Sequence, residues 1–268
     1  MTGALDILAL MQDVAARVIT PRFRSLSSAE IHEKQPGDLV TVADRESEAE
    51  ITAALRSAYP DALVVGEEAT FADPGLLRVL PVAEHAFVVD PVDGTRNFVN
   101  GSPDHAVMVG ELVRGEGVRG WIWQPEHQRA YVAEQGSGVT CNDERLSALP
   151  RSERPVVEAS SRGLRGMDPE LVGAVGATRF CCGVDYPRLL TGEIDALVYG
   201  PRPKPWDHVP GALMVRELGG EARMSDGGHW SPAIGATSEG PTSHTRPRLV
   251  VAATRGVYET VVRAAFHG

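Results

Sequence analysis

Cysteine is scarce: Cys141, Cys181 and Cys182 are the three in 268 residues. Three thiols cannot all pair within one chain, and they show no spacing typical of a zinc site. A disulfide framework or a structural zinc is therefore not expected, and free thiols, buried or partly buried, are. Long apolar runs are also missing, since no stretch approaches the roughly 18 consecutive apolar residues of a membrane span. The N-terminal apolar run contains Asp6 and has no basic flank, so it does not read as a signal peptide, and the expected location is cytoplasmic. Positive charge is in deficit, with 26 Lys and Arg against 36 Asp and Glu, a formal net charge of −10 and a pI near 5.3. The basic residues are scattered, which argues against nucleic acid or an anionic membrane as partner, because phosphate backbones need a positive field. No internal repeat and no low-complexity domain is present. An acidic protein can still bind an anionic substrate where divalent cations sit on its carboxylates and reverse the local sign. Clusters of Asp and Glu are thus the feature to locate.

With 43% apolar residues in 28.7 kDa, the chain can fill a sizeable core as one large domain or two packed halves. Leu5, Leu8, Met11, Ala15, Val18 and Ile19 recur at helical spacing and Pro21 stops the run, predicting a helix over about residues 3–20. A second helix is expected from Asp44 as N-cap, with Ala49, Ile51, Ala54, Leu55 and Ala58 on its buried face. Residues 62–65 and 86–89 read as buried strands that deliver acids at their C-terminal ends. Residues 105–134 suggest an antiparallel meander. A mixed α/β pattern follows, with helices near 186–191 and 206–218 and strands at 196–199 and 249–253. Residues 225–247 read as a long irregular connection with one short strand near His229–Trp230.

Four acidic segments stand out: Asp38-Leu39-Val40-Thr41-Val42-Ala43-Asp44, Gly66-Glu67-Glu68, Asp90-Pro91-Val92-Asp93-Gly94-Thr95-Arg96-Asn97-Phe98, and Trp206-Asp207-His208-Val209-Pro210-Gly211. A D-x-x-D pair enclosing Pro and followed by Gly-Thr is a loop in which two carboxylates and a carbonyl can face one point. Mg²⁺ chemistry wants such an array, because this ion takes oxygen ligands and shares its shell with substrate phosphate. Each segment alone also fits a turn, a surface acid or a helix cap.

In this order and at these separations, the four segments resemble the signature of the inositol monophosphatase family, over nearly the whole chain. The resemblance implies a single phosphatase domain over 1–268, with halves at about 1–138 and 139–268, an α/β/α/β/α layered fold and a homodimer. It makes Glu67, Asp90 and the Val92 carbonyl ligands of a first Mg²⁺, and Asp90, Asp93 and Asp207 ligands of a second, with Glu67 sharing a third through water. Thr95, hydrogen-bonded to Asp44, would orient and help deprotonate the attacking water. The main chain of Gly94 and Thr95 would face the phosphate, with Asp93, Asp185 and Lys34 as further substrate contacts. Lys34 reads equally as an exposed lysine, and His208 as a packed or solvated side chain rather than a ligand. Cys181 and Cys182 fall where a Gly-Ser pair is usual, and Pro210 where Ala is frequent.

The implied activity is Mg²⁺-dependent, lithium-sensitive hydrolysis of a small polyol, sugar or related metabolite phosphate. Histidinol phosphate, fructose 1,6-bisphosphate and a 3′-phosphoadenosine nucleotide are alternative substrates, and an inactive phosphate-binding regulator or scaffold is an alternative of another class. Counting seven residues back from Asp207 gives Gly200, where inositol-specific members carry an acid. Arg202 and Lys204 stand near it, and the Pro-rich run 201–205 leaves Glu193 or Asp195 as substitutes.

Overall fold

The computed structural model describes residues 5–149, 152–232 and 246–266. Helix α1 (Ile7–Val14) is capped by Asp6, whose carboxylate accepts the Ala9 N–H at 3.0 Å, and runs on as a π-helical turn through Ile19. Strands β1 (Ile31–Gln35) and β2 (Asp38–Thr41) form a hairpin leading into helix α2 (Val42–Ala58). Thr41 caps α2, and Asp44 is the third residue of its capping box, not the N-cap expected from the sequence. Ile51 and Leu55 keep the expected buried face, but the alanines do not. Ala43, Asp44, Ser47, Glu48, Ile51 and Leu55 are buried, whereas Ala49 and Ala58 are exposed and Ala54 is half-buried. Alanine tolerates either face, so it carried no phase information.

Next come β3 (Leu63–Gly66), the short helices α3 (Glu67–Ala72) and α4 (Gly75–Val79), β4 (His85–Asp93) and α5 (Thr95–Val99). A meander of β5 (Ala106–Val113), β6 (Glu116–Gln124), β7 (Arg129–Glu134), β8 (Gly138–Cys141) and β9 (Glu144–Arg145) completes a seven-stranded sheet in sequential order. Only β3 and β4 are parallel in it. A second sheet of five strands has the order β11 (Ala174–Ala177), β10 (Val156–Ala159), β12 (Ala196–Val198), β14 (Leu249–Ala252), β13 (Glu221–Met224). Helices α6 (Cys182–Leu190) and α7 (Pro205–Glu217) lie between the sheets, and α8 (Arg255–Phe266) covers the outer face of the second. His229 makes a single bridge to Arg223, and residues 233–245 of the expected irregular connection lie outside the described residues.

Strand alternation builds the layers, because successive side chains point to opposite faces. Val107 and Val109 pack toward α1 and α2, while Ala106 and Met108 pack toward α6 and α7. In the second sheet Leu197 and Val251 face the same helices, and Val198 and Val250 face α8. The result is the α/β/α/β/α sandwich. Helix α7 sits close on the first sheet because Gly120 has no side chain: a Cβ there would lie 2.8 Å from Pro210 Cα. This contact sets the height at which α7 presents its first turn.

Candidate active site

The carboxyl end of β4 carries a bulge. Asp90 pairs with Met108 and Asp93 with Ala106, so β4 has one residue more than β5 across this interval. In a regular strand residues three apart face opposite sides. The extra residue brings both carboxylates to one cavity, and Pro91, lacking an N–H, gives up no ladder bond there. Glu67 enters the cavity from the first turn of α3 and Asp207 from the first turn of α7, where Pro205 starts the helix. The cavity, of about 360 Å³, is also lined by Val92, Gly94, Thr95 and Phe180.

Burial and mutual repulsion act on these acids together. Asp90 is raised well above the ordinary carboxylate range, by burial first and then by the charges of Glu67, Asp93, Asp207 and Asp44. Burial likewise lifts Glu67 to about 7 and Asp93 to about 6, and raises Asp207 strongly. Asp90 Oδ1 is buried with no hydrogen-bond partner. An oxygen in that state among like charges fits a hard cation, so the donor set suits Mg²⁺.

Asp93 is held from the other side. The Gly183 N–H donates to its Oδ2 at 2.5 Å and the Cys181 Sγ lies 3.1 Å from the same oxygen, both at the start of α6. The Gly94 and Cys182 N–H groups also favour its charged form. Gly94 has φ +80°, and a Cβ would stand 3.0 Å from both Asp104 O and Cys181 Cβ, so glycine is required. Beside it, the Thr95 hydroxyl lies 2.9 Å from Asp44 Oδ1 and 3.0 Å from the Val92 carbonyl. Asp44 also accepts the Thr41 N–H at 2.8 Å and the Thr41 hydroxyl, and burial lifts it to about 6 despite these bonds. The capping role and the contact to Thr95 coexist in one carboxylate.

A family model described as "Inositol monophosphatase family" matches residues 5–266. The chain belongs to the inositol monophosphatase family. A relative named Nus factor SuhB, from Pseudomonas aeruginosa strain PAO1, is 30% identical over 247 residues, 85% of this chain and 88% of the relative. An inositol-1-monophosphatase of Mesorhizobium japonicum is 28% identical over 243 residues, 85% of this chain and 87% of the relative. The crystal structure of the extragenic suppressor protein suhB of Bartonella henselae superposes with a TM-score of 0.76 at 26% identity, covering 98% of this chain and 100% of that one.

Several residues stand elsewhere than their sequence context suggested. Lys34 is not exposed: its Nζ lies 2.7 Å from Glu67 and 2.8 Å from Glu68, with the side chain 4% accessible. It lines a second cavity of about 450 Å³ that shares Asp38, Glu67 and Asp207 with the first and adds Lys204 and Trp206. Asp185 is buried in α6, accepts the Arg179 N–H at 2.6 Å, and is lifted to about 8 by burial. It lines neither of these cavities. Glu193 pairs with Arg188 at 3.1 Å and Asp195 accepts the Val156 N–H; neither lines the two cavities above, and Glu193 lines a neighbouring one with Arg188 and Asp104. At Gly200 a Cβ would meet nothing within 4 Å. His208 is packed rather than solvated, at 3% exposure.

Three further residues support the site in ways the sequence did not disclose. Glu48 accepts the Glu68 and Ala69 N–H groups at 2.7 and 2.8 Å, fixing the start of α3 and with it Glu67. Asn97 donates to the Asp104 and Arg179 carbonyls, tying α5 to the segment before α6. Cys181 closes on Asp93 as described. The signal for Asn97 was its place in the motif; for Glu48 none existed, because its partner is a backbone end twenty residues away.

Proposed function

We propose that this chain is a magnesium-dependent phosphomonoesterase acting on a small polyol, sugar or related metabolite phosphate. The observation that carries the reading is the meeting of Glu67, Asp90, Asp93 and Asp207 in one cavity, with the Asp90 oxygen unpartnered, beside the Thr95–Asp44 pair. Glu67, Asp90 and the Val92 carbonyl would hold one ion, and Asp90, Asp93 and Asp207 another, with Glu67 sharing in a third. When bound, Mg²⁺ supplies Lewis acidity to the phosphate oxygens and lowers the pKa of a water.

The chain's own groups do the positioning, on which phosphoryl transfer chiefly depends. Thr95 donates its hydroxyl proton to Asp44 and so turns an oxygen lone pair toward the cavity, where it orients a water and accepts its proton. Asp44 is locked by Thr41 and cannot swing away. The Gly94 N–H serves Asp93, which leaves the Thr95 N–H, at the first turn of α5, to face phosphate. Phe180 and Lys204 stand at the cavity walls, where a leaving group with an apolar face or a negative charge would lie. A catalytically silent phosphate-binding regulator is disfavoured by the full acid set and Thr95.

A phosphate-release screen with and without Mg²⁺ tests the reading. The panel is myo-inositol 1-phosphate, histidinol phosphate, fructose 1,6-bisphosphate, glycerol 2-phosphate and a 3′-phosphoadenosine nucleotide. Turnover that depends on Mg²⁺ is expected, and kcat/KM for inositol 1-phosphate should not be the highest, because Gly200 offers ring hydroxyls no acceptor. Binding without turnover for every ester would overturn it.

A further inference from the structure

Beside the acid cavity the structure brings together a ligand set of a different character. A carboxylate oxygen of Asp207, the Cys182 Sγ and a ring nitrogen of His208 all lie within 4.8 Å of one another. Linear spacing could not disclose this, because the thiol opens α6 and the other two residues open α7. Magnesium takes oxygen ligands only, whereas a thiolate, an imidazole and a carboxylate are the ligands Zn²⁺ and its soft neighbours take. Three protein ligands with one position left for water is the pattern of accessible zinc sites.

The surroundings hold these groups in place. The Tyr186 hydroxyl lies 3.0 Å from His208 Nδ1, and the imidazole stands edge-on to Tyr199, Tyr186 and Trp230 at 4.6, 5.9 and 6.0 Å. A hydrogen bond to one ring nitrogen is what orients the other in metal sites. Cys182 and His208 are buried at 9% and 3% exposure, and Asp207 opens on the cavity. The neighbouring Cys181 is turned away, to Asp93. The two thiols therefore have different partners.

We infer that Cys182, Asp207 and His208 form a site for a thiophilic divalent cation, of which Zn²⁺ is the type, and that its occupation takes Asp207 from the magnesium set and inhibits the enzyme. On ligation the Cys182 S–H proton passes to solvent. The inhibitory half of this inference rests on Asp207 as a magnesium ligand; the binding half does not.

Cadmium is the probe, titrated into the full chain after metal removal by chelation. The readout is the ultraviolet thiolate-to-cadmium absorption, which needs no turnover. The band should saturate at one Cd²⁺ per chain, persist in Cys141→Ser and Cys181→Ser, and vanish in both Cys182→Ser and Cys182→Ala. In parallel, Zn²⁺ inhibition at saturating Mg²⁺, scored against each variant's own rate, should require at least ~10-fold more Zn²⁺ in Cys182→Ser, in keeping with the loss of one ligand. A full band in the Cys182 variants, or unchanged Zn²⁺ sensitivity, overturns the site. Magnesium-dependent turnover without a Cys182-dependent band sinks this inference and leaves the phosphatase reading standing. A Cys182-dependent band in a protein inert toward every ester does the reverse for the binding half.

Discussion

Thr95 and Asp90 do different things and should fail differently. Replacing Asp90 by Asn keeps its shape but removes a charge shared by both proposed ions, so kcat should fall by at least ~10²-fold, and raising Mg²⁺ should restore little. Thr95→Ala leaves the acids in place. Metal affinity should hold while kcat falls by roughly 10²-fold, and Thr95→Ser, which keeps the hydroxyl 2.9 Å from Asp44, should retain more activity. Equal rates for the Ala and Ser variants would remove the hydroxyl from the mechanism. At this scale the family resemblance was most informative: Glu67, Asp90, Asp93, Asp207 and Thr95, which it named, line one cavity with Asp44 bonded to Thr95, whereas each segment alone read equally as a turn, a surface acid or a cap. Lys34 was harder, since a lone lysine in a hairpin gives no sign that two glutamates from α3 will bury it. Cys182 and His208 were unreadable as a pair for the same reason.

Helix α3 is only six residues long, and its first residue is a proposed ligand. So short a helix has little stability of its own. Glu48 supplies the missing cap from α2, and Gly66 leaves room for it: a Cβ at Gly66 would lie 2.2 Å from Glu48 Cδ. Glu48→Ala should therefore remove two charge-assisted hydrogen bonds, a net loss of about 1.5–3 kcal/mol, because the burial cost of the carboxylate offsets part of what two such bonds give. Thermal denaturation should show a loss of roughly 3–12 °C, at about 2–4 °C per kcal/mol for a chain of this size. Gly66→Ala should act in the same direction by displacing the carboxylate. Both variants should raise the Mg²⁺ concentration for half-maximal activity more than they lower kcat at saturation, since Glu67 is misplaced rather than lost. An unchanged Mg²⁺ requirement would mean that α3 holds its register without Glu48. Elements of this kind divide what the sequence reveals. The meander from β5 to β7 and the helix α7 were legible, because long strands and helices repeat their pattern. The equally short β3, β12 and β14 were legible as apolar runs, whereas the hairpin β1–β2 and the strands β8, β9, β10, β11 and β13 were not foreseen, since two to five residues hold too few repeats to fix a period and most of these lack an uninterrupted apolar run.

At the scale of the whole molecule, the layers carry a set of buried, mutually repelling acids at one cavity. The layering itself was implied by the family resemblance, while the periodicity of the chain was merely compatible with it; which face of each strand met which helix emerged from packing between segments far apart in sequence. That architecture ties stability to pH and metal. Without metal, burial holds Glu67 at about 7 and Asp93 at about 6, with Asp90 and Asp207 also raised, so the folded chain binds more protons than the unfolded one across the weakly acidic range. The contribution of these acids to stability is then highest below the ordinary carboxylate pKa and falls as pH rises through the folded values, against an opposite contribution below about pH 6.5 from His105 and His208, held by burial at about 4 and about 3. The melting temperature of the chelated protein should accordingly drop by roughly 5 °C or more between about pH 5 and pH 8, given a few kcal/mol of repulsion. Mg²⁺ binds only the ionised set, so it should raise the melting temperature strongly at about pH 8 and little at about pH 5. Asp90→Asn should flatten both dependences by taking one charge out of the cluster. Differential scanning calorimetry of the two proteins at both pH values, with and without Mg²⁺, makes the comparison. A chelated wild-type protein more stable at the higher pH, or an Mg²⁺ shift independent of pH, would mean that these carboxylates are neutralised by groups of the chain itself, with Lys34 the first to test.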